Sequence, residues 1–189
     1  MKINRAEKPL PKGEIEFHLP EIKYHQLDNG LNILFIRKTK LPIVQMNLVI
    51  NGGSKFDNDG KKGLAYLTSM LVDEGAGEYS SLQLDNEFEK LGTVKGISVD
   101  QDSIYLSLLT LKEHFERSVE LFSKIVQSPL LKNEDFEREK VKLLTKSIQL
   151  KDKPSYLADM GFDKLVMTDS SYIHPTIGYD EDIKSLGRE

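Results

Sequence analysis

The sequence of 189 residues contains no cysteine, which excludes a disulfide framework, a thiolate metal site and a cysteine nucleophile in any compartment. It has no long apolar run either: the longest, such as Ile33-Leu34-Phe35-Ile36, are four residues, against about 20 needed to cross a bilayer. Nor is there a surplus of positive charge. Lys and Arg number 26 against 30 Asp and Glu, a formal charge of −4, which argues against electrostatic nucleic-acid binding. Glycine and proline, at 13 and 7, are near average usage, so neither disorder nor a fibrous repeat is indicated. What is present is a 39% apolar share, enough for a packed globule that buries roughly 70% of its unfolded surface. The opening Met1-Lys2-Ile3-Asn4-Arg5-Ala6-Glu7 carries no apolar signal core, which by itself does not decide export.

Several catalytic signatures are missing as well. The four histidines, His18, His25, His114 and His174, include no pair at i and i+4, and neither H-E-x-x-H nor H-x-x-E-H occurs. His18 and His25 flank Pro20 and read as two surface side chains. G-x-S-x-G is absent, so Ser54 after Gly52-Gly53 reads as a turn residue, and the glycine pair lacks the lysine and following hydroxyl of a phosphate-binding loop. Glu137 and Glu139 are two apart and interleaved with Arg138 and Lys140, which reads as a solvated charged helix face rather than a catalytic pair.

Along the chain, residues 1–21, with Pro9, Pro11, Gly13 and Pro20, have no sustained period and read as an extended arm. Residues 22–28 and 31–38 flank Asn29-Gly30, which predicts a type I′ hairpin; the second strand is apolar on both faces and is expected to be covered on both. A third strand runs from Ile43 to Ile50. Leu64, Leu67 and Leu71 predict a helix ending at Gly75, and Ser80 with Gln83 has capping-box form for a second, closed by Gly92. Residues 93–99 and 103–110 form a second expected hairpin. A helix over 112–127 presents Phe115, Val119, Phe122 and Val126, and further helices follow at about 133–150 and 155–167. The order predicts an α+β fold, with helices packed against a mixed, largely antiparallel sheet. A last helix opens at Asp180, only a few residues before Glu189, so residues 22–189 are expected to be the N-terminal fragment of a longer two-domain subunit.

Gly63-Leu64-Ala65-Tyr66-Leu67-Thr68-Ser69-Met70-Leu71, after the hairpin and the Asn51-Gly52-Gly53-Ser54 strand end, resembles the first domain of the pitrilysin, insulinase and mitochondrial processing peptidase family. Leu91-Gly92, Phe136-Glu137-Arg138-Glu139-Lys140, His174-Pro175, Ile177-Gly178 and Asp182-Ile183 follow in the order that family shows. The resemblance implies an inverted H-x-x-E-H helix, two imidazoles holding zinc and a glutamate activating its water. Here Tyr66 and Met70 stand at the histidine positions and Ser69 at the glutamate. The family's third ligand, a glutamate, falls at Thr145 or Lys146. A phenol and a thioether are poor zinc ligands, a serine is no general base at neutral pH, and a lysine repels a cation.

The resemblance therefore implies a ligand-free, non-peptidase homologue with no catalytic residue and no cofactor of its own. Zinc is expected in a partner subunit; the partner implied is a catalytic zinc-bearing homologue, or else the chain self-associates. Such a pair would enclose a chamber where peptides are cleaved, and this chain would supply wall and peptide contacts. Tyr66 and Met70 either pack in the core or line that surface. The family likeness also points to the bacterial periplasm or cell envelope. Two other readings stay open: a peptidase acting alone through an unorthodox metal site at His18, His25 or His174, and a scaffold subunit that binds no substrate.

Overall fold

Asn29-Gly30 turns the chain, but not as a type I′ hairpin. In the computed structural model, which describes residue 13, residues 18–168 and residues 170–189, β1 (Ile22–Gln26) pairs antiparallel with β2 (Asn32–Ile36), Ile22 opposite Ile36. The loop is closed by Gly30 N–H to Leu27 C=O at 2.8 Å and Leu27 N–H to Leu31 C=O at 2.9 Å. Only Gly30 has a positive φ, +86°, whereas type I′ needs two such residues; this is the three-residue loop in which one left-handed glycine suffices. Where cover on both faces was expected, β2 pairs among the described residues with β1 alone and all its positions are exposed, Leu34 by 73%. Most of the expected N-terminal arm lies outside the described residues.

The chain divides between Leu41 and Pro42 into two compact units. The larger contains a three-stranded antiparallel sheet in the order β3 (Ile43–Ile50), β7 (Ile104–Leu111), β6 (Val94–Val99). Leu106, Leu108 and Thr110 alternate onto the buried face of β7, as a period of two requires. Two amphipathic helices complete this core: α2 (Ser81–Lys90) with Leu84 and Phe88, and α3 (Phe115–Gln127) with Leu121, Phe122 and Ile125. The capping box is formed, Gln83 N–H donating to Ser80 Oγ and Ser80 N–H to Gln83 Oε1, and Gly92 ends the segment at φ +58°. On α3 the buried stripe is Ser118, Leu121, Phe122 and Ile125, so it is rotated from the one expected and leaves Val126 exposed. The rotation follows from Ser118, whose hydroxyl closes a buried triangle with Thr93 (2.8 Å) and Thr110 (3.0 Å).

A second core joins α1 (Leu64–Leu71), α4 (Asn133–Lys151) and α6 (Asp180–Ser185) through Leu67, Leu71, Phe136, Leu143, Ile177 and Ile183. α5 (Pro154–Val166) starts with Pro154 in its first turn and buries no residue. α1 stops at Leu71, short of the expected Gly75, because Gly75 enters a two-residue strand, β4 (Gly75–Ala76), paired with β5 (Tyr79–Ser80). Glu139 is not part of a solvated face. It is 3% exposed and accepts from Arg138 Nε at 3.0 Å and Lys142 Nζ at 2.6 Å, while Arg138 also bridges Asp135 and Glu74. Paired in this way, a buried carboxylate keeps the partners its burial demands. The fold is α+β as expected, although its strands form three small antiparallel sheets.

Candidate functional site

The start of α1 is held by a carboxylate that no motif pointed to. Asp57 is buried and accepts from Gly63 N–H at 2.8 Å and Ala65 N–H at 3.0 Å, satisfying donors that a helix N-terminus leaves unpaired. Burial pushes its carboxyl above the usual value, and those two N–H groups offset only part of that. From the other side, Asp182 Oδ2 accepts from Lys62 N–H at 3.1 Å. Gly63 has φ +102°, and a Cβ there would lie 2.6 Å from Ile177 O, so only glycine lets the 177–178 segment approach this closely.

So fixed, α1 directs Tyr66 and Met70, one turn apart, to one side. Both side chains are half-buried and pack against the second core, and both also line a cleft of about 350 Å3 with Ser69, Asp73, Lys95 and residues 96–99 of β6. Ser69 is buried and its Oγ donates to Tyr66 C=O at 2.7 Å. The Lys95 ammonium is bound by Asp73 and lies 3.2 Å from Asp85. Burial alone would lower its pKa, but the two carboxylates outweigh burial and hold it above the ordinary lysine range.

Across from α1, α4 answers with Lys146, whose ammonium donates to the Tyr66 hydroxyl and sits 4.9 Å from the centre of its ring. Thr145 instead turns back to Val141 C=O at 2.9 Å. The structure therefore brings Tyr66, Ser69, Met70 and Lys146 together and leaves Thr145 aside. This donor set does not fit a zinc ion: it offers a phenol already accepting from an ammonium, a thioether, and a hydroxyl spent on a backbone carbonyl. Among the described residues no group of three or more His, Asp or Glu is placed to hold a metal.

The histidines lie elsewhere. His18 and His25 are exposed. His174 is buried, its Nδ1 3.1 Å from Pro175 O, and its Nε2 meets no protein partner; Ser54 Oγ is likewise buried without one. Sequence reasoning missed Asp57 and Lys95. The first could have been found as an acidic residue just ahead of a helix that lacks a side-chain cap, the second as a lone lysine in an apolar strand.

A helix carrying an i, i+4 pair, with a second long helix across from it, is the arrangement that the family resemblance implied. A sequence model of the insulinase family, peptidase M16, matches residues 32–169, and the chain belongs to that family. Mitochondrial-processing peptidase subunit beta of Bos taurus is 23% identical over 98% of this chain and 38% of its own length. An uncharacterized zinc protease of Rickettsia bellii is 24% identical over 87% of this chain and 40% of its own. The chain thus spans about two fifths of the relatives it matches. The fold is similar to a peptidase M16 inactive domain from Pseudomonas fluorescens, with TM-score 0.84 and 24% identity over 88% of this chain and 41% of that one. Pitrilysin is similar with TM-score 0.72 and 17% identity over 87% and 18% of the respective chains.

Proposed function

We propose that this chain is a non-catalytic component of an M16 peptidase assembly, one that holds an extended peptide while a zinc-bearing homologue supplies hydrolysis. One observation carries this reading: the α1 positions where the inverted motif would place two imidazoles and a carboxylate hold Tyr66, Met70 and Ser69, and an ammonium faces them from α4. A water held there has neither a Lewis acid to lower its pKa nor a free carboxylate to take its proton. What the cleft retains is the means to bind. β6 is an edge strand, its outer N–H and C=O groups offer a peptide a fourth place in the sheet, and Tyr66 and Met70 supply an apolar wall beside it.

No helix among the described residues is long and apolar enough to cross a membrane. The experiment is metal analysis of the purified chain together with proteolysis of an unfolded peptide, alone and after mixing with a zinc-bearing M16 homologue. The expected outcome is substoichiometric zinc, no cleavage by this chain alone, and cleavage on mixing. Stoichiometric zinc, or hydrolysis without a partner, overturns the reading.

A further inference from the structure

We propose that the α4 side of this cleft is an anion site that selects peptides by a carboxylate, with Lys146 as the contact; this rests on the reading of the cleft as a peptide site and names what it takes. The hydrogen-bond inventory leads there. The Lys146 ammonium donates one N–H to the Tyr66 oxygen, leaving two N–H groups, and the Tyr66 O–H is left to donate outward. Ser69 Oγ is engaged with a backbone carbonyl and Lys95 with two aspartates, so neither competes. The unspent polar groups of the Lys146–Tyr66 pair are therefore donors, while Asp73, which also lines the cleft, is held by Lys95. The complementary ligand accepts only, and a carboxylate does so with a charge that strengthens each bond.

The surroundings agree. A groove of about 460 Å3 runs along α4 from Val141 to Lys153 and includes Lys142, Lys146 and Lys153. Lys142 is held by Glu139, and Lys151 on the adjoining turn by Asp180 at 2.6 Å. Lys146 and Lys153 have no carboxylate within ion-pair distance among the described residues, in a chain whose formal charge is −4. Among the described residues Lys146 thus carries a positive charge without a paired carboxylate, and through its contact with Tyr66 it borders the cleft beside β6. At an exposed lysine the expected selectivity is modest, roughly fivefold, and it weakens with added salt.

The test is fluorescence anisotropy with a labelled nine-residue extended peptide carrying a central Glu, its Gln twin, and each of these with an amidated C-terminus. The Glu peptide is expected to bind about fivefold tighter than the Gln twin. Lys146→Met should erase that margin and Lys146→Arg keep it, while Lys90→Met, a charge-matched change on an exposed α2 lysine, leaves it intact. If amidation rather than Glu→Gln removes the margin, the carboxylate recognised is the peptide terminus, and the anion site stands. Equal binding of all four peptides, unaltered in Lys146→Met, overturns the anion site while the peptide cleft survives. No binding by any peptide overturns both. A folded Lys146→Met protein is verified by its far-ultraviolet circular dichroism.

Discussion

Asp57 concentrates the residue-scale physics of the site. Its carboxylate caps α1 from six residues upstream, so Asp57→Ala should cost about 1–2 kcal/mol, read as a lower urea midpoint. Its pH dependence has a definite sign. Burial raises the folded pKa above the usual 3.8, so the folded chain binds this proton more tightly than the unfolded one. The group's contribution is then full below the unfolded pKa and declines as pH climbs through the folded one. Asp57→Asn keeps one acceptor oxygen and removes that decline. The stability of Asp57→Asn relative to the parent should accordingly rise as pH climbs above the unfolded value of 3.8, and a difference that stays flat would refute the assignment. Tyr66, Ser69 and Met70 were legible in the sequence because motif spacing fixes their positions. The Lys146 contact was legible only to within one residue, since which of two neighbours on α4 faces α1 depends on helix rotation. Asp57 was missed, because its hydrogen-bond donors are backbone N–H groups that no side-chain motif reports; its one sequence signal is an acidic residue ahead of a helix without a side-chain cap.

At the scale of elements, periodicity and turn residues located α1 to α6 and the strands β1, β2, β3, β6 and β7, whereas β4 and β5, two residues each, and the single-turn 3-10 helices are too short to show a period. Where the reading failed, a tertiary contact had taken over: the hydroxyl triangle that turns α3, and the chain reversal at Gly75 that shortens α1. The same contacts make the fit of α1 sensitive to single atoms. Gly63→Ala forces a side chain into φ +102° and against Ile177 O, and should cost about 1–3 kcal/mol, a fall in melting temperature of roughly 3–10 °C. Gly92→Ala, at φ +58° with no neighbour within 4 Å, should cost only about 1 kcal/mol. Thermal melts followed by circular dichroism compare the two, and equal shifts would deny the close approach its role.

On the scale of the whole molecule, stability is uneven. Two buried cores lie within residues 42–189, while the β1–β2 hairpin exposes Ile22, Tyr24, Leu34, Phe35 and Ile36. A two-stranded ribbon with no buried face is marginal in water. Its amides are therefore expected to exchange hydrogen about a hundredfold faster than those of β7, the central strand, and comparable protection would contradict this account. Ile33 to Ile36 showed its dual apolar character plainly, but what covers a strand is a property of three dimensions that alternation cannot report. The meeting of Gly63 with Gly178 also has a temporal side. On a ribosome, α1 emerges long before its seat does, since the residues it leans on lie more than a hundred positions later. Until synthesis passes Gly178 the nascent helix lacks this part of its seat, so the cleft beside α1 reaches its final shape only after residues far downstream of it have emerged.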